Sequence, residues 1–451
     1  MPLLLFGLPA QADHGTRPQT KNLHALGHSP HPADFGVPAA ERRVNSDLAF
    51  WGDIAFHGNY NGFRVIDISE PGDPQLISHP ECNGDQGDIV VWEDVLVRSW
   101  NSPAPADDPA TPEDETRFCD GEPVPAGFEG LHVWDISDLS DPQLVGSLEL
   151  SDEPTADAIG CGSHTATAVP DLDNNRLIIY NATSGGPCPF VGVIEVPLDN
   201  PAGISHIRDE PLTGAASAVH DNGVILGDAN LLAAASGDEA NIFSIGPPGG
   251  GSLEDPELLY TIVEPGVGEG GNWHSAALTW DGEVIILGWE PGGGSQAECE
   301  ATDPDAKKSW FFYDSATGAK LGQFVLPRPQ GADENCTIHN YNVVPLRSGD
   351  YVLAGGNYQA GTWVVDFTDP ANAEAIAWSD PPSLGPGPFC SATSPPGCQL
   401  AGAWSSYWYN NFIYESDITE GLNVFRLSGN ETAGAMQLDH LNPQTQEFTL
   451  P

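Results

Sequence analysis

The sequence reads Gly62-Phe-Arg-Val-Ile-Asp-Ile-Ser-Glu-Pro-Gly-Asp-Pro-Gln-Leu-Ile77 shortly before its first cysteine, and this stretch decides the fold. Its first part is rich in apolar and β-branched residues, which favour an extended strand. Its middle carries Ser, Pro, Gly and Asp, which favour turns, and apolar residues return after them. The stretch therefore predicts one strand, a tight turn and a second strand.

The same unit recurs along the chain. Its copies are Gly130-Leu-His-Val-Trp-Asp-Ile-Ser-Asp-Leu-Ser-Asp-Pro-Gln-Leu-Val145, Gly361-Thr-Trp-Val-Val-Asp-Phe-Thr-Asp-Pro370 and, more weakly, Gly421-Leu-Asn-Val-Phe-Arg-Leu-Ser428. A repeated strand–turn–strand unit cannot bury its apolar faces alone and must pack against its neighbours. The pattern thus predicts an all-β repeat architecture.

These units resemble the repeats of the LVIVD-repeat family of exported β-propeller proteins, and the resemblance runs from about Asn22 to Leu427. It implies a β-propeller and an exported protein. It implies no single activity, so function has to be argued from particular residues.

Counting each hairpin with the strand that follows it indicates seven blades, which begin near residues 46, 87, 162, 217, 272, 337 and 403. A closed ring of blades leaves only short, protected sheet edges. We therefore expect a single seven-bladed β-propeller over residues 46–430. Residues 13–45 form an N-terminal segment that can close the ring by adding an outer strand to the last blade, and residues 431–451 form a C-terminal tail.

The N-terminus and the cysteines both indicate export to an extracytoplasmic location. Residues 1–12 are apolar and end in Ala10-Gln-Ala12, a signal-peptidase pattern, so we interpret them as a signal-peptide remnant. Disulfide bonds persist in oxidising compartments. The eight cysteines form sequential pairs, which we expect to be disulfide-bonded, although eight cysteines allow 105 connectivities: Cys82 with Cys119, Cys161 with Cys188, Cys299 with Cys336, and Cys390 with Cys398.

The charge balance excludes some partners. The chain carries 15 Lys and Arg residues against 64 Asp and Glu residues, a formal net charge of -49. Such a surface repels nucleic-acid phosphates and anionic lipids, so we expect neither nucleic-acid binding nor membrane insertion. We expect a monomer that acts on a small-molecule or extracellular substrate. An acidic surface is typical of salty or calcium-rich surroundings, and ordinary solubility is the alternative explanation.

Four histidines stand at equivalent places in consecutive hairpins, separated by 56, 54 and 65 residues: His164, His220, His274 and His339. The first strand of each propeller blade lines the central channel, so equivalent positions converge at one end of it. Neutral imidazoles in such a group can bind a divalent transition metal, here copper, zinc, manganese or iron. A hydrogen-bonded polar plug or a pH-sensitive channel is the alternative.

Three further residues are candidates for catalysis at this site. Asp88 stands at the matching position of another blade and can act as a ligand, a partner of an imidazole N–H or a general base. Glu290 follows the second strand of the fifth blade, and Tyr341 lies close to His339 in sequence. Turn capping for the acids and inter-blade packing for the tyrosine are the structural alternatives.

Two classes of function remain open. A metal-dependent enzyme is the first, either an oxidase or a hydrolase, with a lyase ranked below because few arginines are available to hold acidic sugars. His-rich propeller channels resemble those of the methanethiol oxidase (selenium-binding protein) family and of some polysaccharide lyases. The second class is a non-catalytic extracellular binding module in which the metal is structural, since four histidines saturate a tetrahedral zinc ion.

Overall fold

The structure is a computed structural model, and it describes residues 18–31, 44–84, 86–105, 116–150, 161–183, 188–213, 218–267, 271–381 and 401–450. The described residues form strands joined by turns, and the only helical elements among them are short 3-10 turns at Leu172–Asn174, Pro201–Gly203, Gly292–Gly294, Asp305–Lys308 and Pro370–Asn372. The expected all-β class is therefore confirmed, and the sheets have a β-propeller arrangement.

The strands of the first half of the described chain are, in order, β1 (Leu23–Pro30), β2 (Asn45–Trp51), β3 (Ile54–Asn59), β4 (Gly62–Asp67), β5 (Gln75–Ser78), β6 (Ile89–Trp92), β7 (Val95–Trp100), β8 (Phe118–Cys119), β9 (Glu122–Pro123), β10 (Gly130–Asp135), β11 (Gln143–Glu149), β12 (Thr165–Asp171), β13 (Arg176–Ala182), β14 (Phe190–Pro197), β15 (Ser205–Pro211) and β16 (Val219–Ile225).

Those of the second half are β17 (Leu231–Ser236), β18 (Glu239–Ser244), β19 (Glu257–Val263), β20 (Gly271–Leu278), β21 (Val284–Pro291), β22 (Ser309–Asp314), β23 (Lys320–Val325), β24 (Asn340–Val343), β25 (Val352–Gly356), β26 (Thr362–Asp366), β27 (Glu374–Ser379), β28 (Ala403–Tyr409), β29 (Phe412–Asp417), β30 (Gly421–Leu427), β31 (His440–Leu441) and β32 (Thr445–Gln446).

Five sheets of four or five strands stand separately in the described part of the chain: β31-β2-β3-β4-β5, β6-β7-β10-β11, β12-β13-β14-β15, β32-β16-β17-β18-β19 and β20-β21-β22-β23. Eight further strands form one sheet in the order β1-β30-β29-β28-β24-β25-β26-β27, and β8 and β9 form a two-stranded sheet. The structure thus has five separate blade-sized sheets rather than the seven that the sequence predicts. The difference arises because β24 and β28 pair in parallel, with Asn340 opposite Ser405 and Tyr341 opposite Ser406.

The absence of a side chain at one glycine explains this junction. A Cβ atom on Gly356 would lie 2.8 Å from the carbonyl carbon of Ser405. Gly356 therefore lets the backbone of β28 approach closely enough to pair with the neighbouring inner strand. At the far edge of the eight-stranded sheet, β1 pairs antiparallel with β30, from Leu23 opposite Leu427 to Pro30 opposite Gly421.

The repeated Asp-x-Ser/Thr element forms the same turn in three of its copies. The carboxylate of Asp67 accepts a hydrogen bond from the backbone N–H of Ser69, and Asp135 and Asp366 accept equivalent bonds from Ser137 and Thr368. Such side-chain-to-backbone bonds two residues on replace ladder bonds and end a strand. In each copy, the aspartate thus ends the third strand of the sheet, and the turn after it leads into the outer strand.

The core lies between neighbouring sheets. Ile179 on β13 packs in a cluster with β6 and β7, whereas its neighbour Ile178 packs in a cluster with β16, β17 and β18. Successive strand residues point to opposite faces, so a strand buried on both faces is apolar throughout. This explains why the strands carry runs such as Leu-Ile-Ile-Tyr rather than strict alternation.

Three of the expected disulfide bonds are confirmed: Cys82–Cys119, Cys161–Cys188 and Cys299–Cys336. Cys390 and Cys398 lie outside the described residues, as do residues 1–12 with the predicted signal-peptide remnant. Within the part of the chain that the structure covers, no helix is both long and apolar enough to cross a membrane.

Residues 439–450, which we call the C-terminal strap, run across the inner strands. β31 pairs with the end of β2, and β32 pairs in parallel with the end of β16. The strap also bonds to inner strands of three other sheets, through Asn442 to Val91, Thr445 to Ala168 and Gln446 to Leu278. All these contacts lie towards the C-terminal ends of the inner strands, so the strap covers one end of the channel.

Candidate metal centre

β-Bulges aim two of the predicted histidines inward. In β16, Val219 stands opposite Ser236 and Asp221 opposite Ala235, so His220 is the extra residue. In β20, Trp273 stands opposite Trp289 and Ser275 opposite Gly288, so His274 is the extra residue. A bulge leaves one residue unpaired and redirects its side chain. The histidines lie at the N-terminal ends of the inner strands, away from the C-terminal strap.

The other two predicted histidines stand immediately before inner strands. His164 precedes β12 and donates its backbone N–H to the carbonyl of Ala182. His339 precedes β24. The four imidazoles form a continuous arc, in which the ring centroids of His164 and His220 lie 4.3 Å apart, those of His220 and His274 4.0 Å, and those of His274 and His339 4.2 Å.

Glu290, at the end of β21, faces this arc. Its Oε2 atom lies 3.8 Å from Nε2 of His220 and 3.8 Å from Nε2 of His274, and its Oε1 atom lies 3.6 Å from Nε2 of His339. Burial raises the pKa of Glu290 to about 7. His220, His274 and Glu290 form a buried group that could hold a metal ion.

Hydrogen bonds assign the roles of some ring nitrogens. Nδ1 of His339 bonds to the carbonyl oxygen of Trp404, which can only accept, so Nδ1 carries the proton and Nε2 presents its lone pair towards Glu290. His164 Nδ1 lies 2.6 Å from Nδ2 of Asn101. This bond holds the ring plane of His164 at the end of the arc.

Three buried imidazole nitrogens have no hydrogen-bond partner: Nε2 of His164 and Nδ1 of both His220 and His274. Buried polar atoms are normally satisfied, so such a concentration in one cluster calls for an explanation. A metal ion on Nε2 of His164 accounts for that atom when Nδ1 carries the proton and the Asn101 amide turns its oxygen towards it. A metal on the Nε2 atoms of His220 and His274, which face Glu290, leaves their Nδ1 atoms protonated and without an acceptor.

Burial keeps the imidazoles neutral. It is the largest cause that lowers the pKa of His164 and of His339, each to about 3. It also lowers the pKa values of His220 and His274 well below the ordinary value, and the neighbouring imidazoles lower them further. Neutral imidazole is the form that binds metals, so the cluster is ready for a cation at neutral pH.

A second polar layer follows the histidine layer one residue further along each inner strand. Asp47, Asp88 and Asp221 are its acidic members, and Thr165, Ser275, Asn340 and Ser405 are the neutral ones. Opposite them, the second strands carry small residues, as at Ala182, Ala235, Gly288 and Ser416. All seven polar residues except the partly exposed Thr165 are buried.

Asp88 belongs to this second layer rather than to the group around Glu290. Its Oδ2 atom accepts a 2.9 Å hydrogen bond from the backbone N–H of Ala166. Burial, followed by the charges of Asp47 and then Asp221, raises the pKa of Asp88 well above its ordinary value. Asp88 is thus a carboxyl group held near other acids below the imidazoles.

Tyr341 is engaged elsewhere. Its hydroxyl group lies 3.0 Å from the carbonyl oxygens of Ser275 and Ile286, and its ring packs edge-on against Trp310. The tyrosine that reaches the cluster is Tyr358, whose hydroxyl donates a 2.5 Å hydrogen bond to Glu290 Oε1. Sequence reasoning missed Tyr358, and it also missed Asn101 and Trp404, whose contacts orient His164 and His339.

A signal for these residues exists in the second strands of the hairpins. Glu290 stands two residues after Gly288, and Tyr358 stands two residues after Gly356, the equivalent small residue of the next hairpin. Asn101 stands two residues after Ser99 in the same way. The position two residues beyond the small residue therefore faces the histidine arc in several hairpins.

A second group of donors lies apart from this centre. The side chains of Cys82, Cys119 and His132 come within metal-binding distance of one another. Both sulfur atoms are tied in the Cys82–Cys119 disulfide, so they are not available as thiolate ligands in this state.

Comparison with known families supports the repeat assignment. The LVIVD repeat family model matches residues 44–79, which contain β2 to β5, and residues 126–149, which contain β10 and β11. Comparison with curated proteins gives no significant match. The protein is thus a β-propeller with LVIVD repeats and a histidine-rich group suited to a metal ion.

Proposed function

We propose that this protein is an exported, metal-dependent enzyme, an oxidase or a hydrolase, built on a seven-bladed β-propeller. His164, His220, His274 and His339 bind one divalent transition metal together with Glu290. The observation that carries the proposal is the position of the buried Glu290 carboxylate, 3.6 to 3.8 Å from the Nε2 atoms of three neighbouring imidazoles.

The blade number of seven rests on the eight-stranded sheet. Its two halves, β24 to β27 and β28 to β30 with β1, each have the four-stranded antiparallel order of the other blades. Only two residue pairs join them. We therefore count the halves as two blades and, with the five separate sheets, obtain seven.

The donor set favours a transition metal over calcium or magnesium. Imidazole suits copper, zinc and iron, whereas calcium and magnesium prefer oxygen ligands, and a carboxylate beside imidazoles also suits manganese. Such an ion would supply Lewis acidity or, with copper or iron, redox chemistry. The chain's own residues hold it, with Trp404 and Asn101 orienting the outer imidazoles.

The four histidines occupy only part of the circle of blades, and the positions without a histidine favour an enzyme. The residues before Asp47 and Asp88, which correspond to the histidine positions, are Ser46 and Gly87. Serine has a short side chain and glycine has none, so neither residue can supply a ligand with the reach of an imidazole at these two positions. An open coordination position is what separates catalytic from structural sites.

A non-catalytic binding module with a structural metal is the second candidate. One observation favours it: the ligand side chains are nearly inaccessible, since His274 is 2% and His339 1% exposed. Four imidazoles and a carboxylate can also fill the coordination shell of a metal ion.

The three disulfide bonds support an extracytoplasmic location, because such bonds persist in oxidising compartments. We propose a small or extracellular substrate and a monomeric protein. Asp88 can act as a base below the imidazoles. Tyr341 is left out of the proposed site because its hydroxyl group is already bound to backbone carbonyls.

The test is metal analysis of the disulfide-intact protein beside the variants His220→Ala and His274→Ala. We expect about one metal ion per chain in the wild type and its loss in both variants. His206→Ala is the matched control, since His206 lies on the outer strand β15 and pairs with Asp209. Wild-type protein without metal, or metal retained in both variants, would falsify the metal site.

The identity of the metal then directs the activity assay. Copper or iron points to oxidation, and manganese or zinc to hydrolysis or elimination. A metal that binds but never exchanges, with no activity on any of these substrate classes, would favour the structural alternative.

A further inference from the structure

The two oxygens of Glu290 have different surroundings. Oε1 accepts a 2.5 Å hydrogen bond from the hydroxyl group of Tyr358 and lies 3.6 Å from His339 Nε2. Oε2 lies 3.8 Å from Nε2 of both His220 and His274. One oxygen therefore already has a strong donor, while the other faces the pair of imidazoles at the middle of the arc.

The backbone of Tyr358 is held in a conformation that a tyrosine adopts reluctantly. Its φ angle is 52°, in the left-handed region, where the Cβ atom of a non-glycine residue is crowded by the backbone. Reciprocal hydrogen bonds with Ala403, of 2.8 Å from the Tyr358 N–H and 2.9 Å to its carbonyl, hold it there. Strain of this kind persists where the surroundings over-determine the conformation, and it is common at functional sites.

The ring of Tyr358 is fixed as well. Its centroid lies 4.5 Å from that of His339 and 6.4 Å from that of Trp404. The carbonyl oxygen of Trp404 in turn accepts a hydrogen bond from Nδ1 of His339. Tyr358 thus touches both a proposed ligand and the residue that orients it.

A glycine turn closes the remaining side. A Cβ atom on Gly294 would lie 2.1 Å from the Tyr358 hydroxyl oxygen and 2.5 Å from Glu290 Oε1, so only glycine fits. The Gly294 carbonyl accepts a 2.7 Å bond from Asn335, and Asn335 accepts a 2.8 Å bond from Gln359, the residue after Tyr358. The turn, the tyrosine and the glutamate therefore form one connected network.

We propose that Tyr358 is a positioning residue of the metal centre: by occupying Oε1 of Glu290, it makes this glutamate bind the metal through Oε2 alone. This inference rests on the proposed function. Hydrogen bonds to a ligating carboxylate orient it and tune the metal, and their loss costs about 10- to 100-fold in metal affinity.

The test is Co²⁺ titration of metal-free wild type, Tyr358→Phe and Tyr341→Phe, with affinity and visible absorption as readouts. Tyr341→Phe is the matched control, because it also removes a buried hydroxyl group, but one that is bound to the backbone carbonyls of Ser275 and Ile286 instead of Glu290. We expect Tyr358→Phe to bind about 10- to 100-fold more weakly. Its absorption bands should weaken and shift, because the released Oε1 also enters the coordination shell. Tyr341→Phe should leave both readouts unchanged.

The possible results distinguish a failure of the proposed metal site from a failure of the role of Tyr358. Wild-type protein that binds no Co²⁺ overturns the proposed metal site and this role with it. Wild-type protein that binds Co²⁺, with Tyr358→Phe matching it in affinity and spectrum, overturns the role of Tyr358 alone. If Tyr358→Phe does not fold, Gly294→Ala perturbs the same contact from the other side, and an unchanged Co²⁺ spectrum there overturns the role equally.

Discussion

The side-chain amide of Gln444 donates a 2.9 Å hydrogen bond to Oδ2 of Asp47, which joins the C-terminal strap to the inner strand of the first sheet. Asn340 and Tyr407 donate to the same oxygen, and the backbone N–H of Leu48 donates to Oδ1. Burial raises the pKa of Asp47, and the bonds from Tyr407, Leu48 and Gln444 counteract that shift. The strap therefore helps to satisfy a carboxyl group that lies in the second polar layer of the channel.

Gln444→Ala should lower the free energy of unfolding by about 1–3 kcal/mol, because it removes a hydrogen bond to a buried acid. Chemical denaturation measures this difference. The control is Gln437→Ala, since Gln437 is exposed and its substitution should change stability by no more than about 0.5 kcal/mol. Equal stability of the two variants would show that the strap does not support Asp47.

Asp88→Asn should make stability less dependent on pH. In the folded protein, burial and the neighbouring carboxylates raise the pKa of Asp88 well above the ordinary 3.8. The folded state then binds a proton that the unfolded state releases, so stability falls as the pH rises from the unfolded pKa towards the folded one.

The neutral amide removes this cost and keeps an acceptor for the Ala166 N–H. We expect Asp88→Asn to raise the melting temperature at pH 8 and to have little effect at pH 4. The gain should be about 1.4 kcal/mol for each pH unit between the folded and unfolded pKa values. Thermal unfolding from pH 4 to pH 8 measures it, and an equal shift at both ends would contradict the explanation by burial.

Arg64→Met should weaken the closure between β1 and the first sheet. The Arg64 guanidinium group, on β4, donates to the carbonyls of Ser29 and Pro30 and to the Ser29 hydroxyl group. Its loss removes the donor to the hydroxyl and carbonyl groups of the buried Ser29, so we expect stability to fall by about 2–4 kcal/mol. The control in the same denaturation experiment is Arg426→Met, which replaces an exposed arginine of β30. It should leave the free energy of unfolding almost unchanged.

Removal of the Cys299–Cys336 disulfide should affect both stability and metal binding. Paired substitution to serine should cost about 2–4 kcal/mol. The backbone of Cys336 bonds to Gln296 and that of Glu298 to Cys336, next to the glycine turn at Glu290. We therefore expect metal affinity to fall as well.

The comparable substitution of Cys82 and Cys119 should cost similar stability and leave metal affinity unchanged, because that bond links β8 with the segment after β5 and is not adjacent in sequence to any of the four histidines. Metal titration of both double variants distinguishes the two disulfides. Equal affinity in both would indicate that the Cys299–Cys336 bond does not support the centre.

The sequence by itself determined the repeated unit, the all-β propeller class and the spacing that brings four histidines into one arc. These features depend on local rules: strand periodicity, turn residues after Asp67 and its equivalents, and a constant place in each hairpin. Only the tertiary structure decided that β24 and β28 join two groups into one sheet, that Tyr358 rather than Tyr341 reaches Glu290, and that Gln444 meets Asp47. Each of these contacts joins residues far apart in the chain, and each depends on how closely neighbouring backbones approach, which no local pattern encodes.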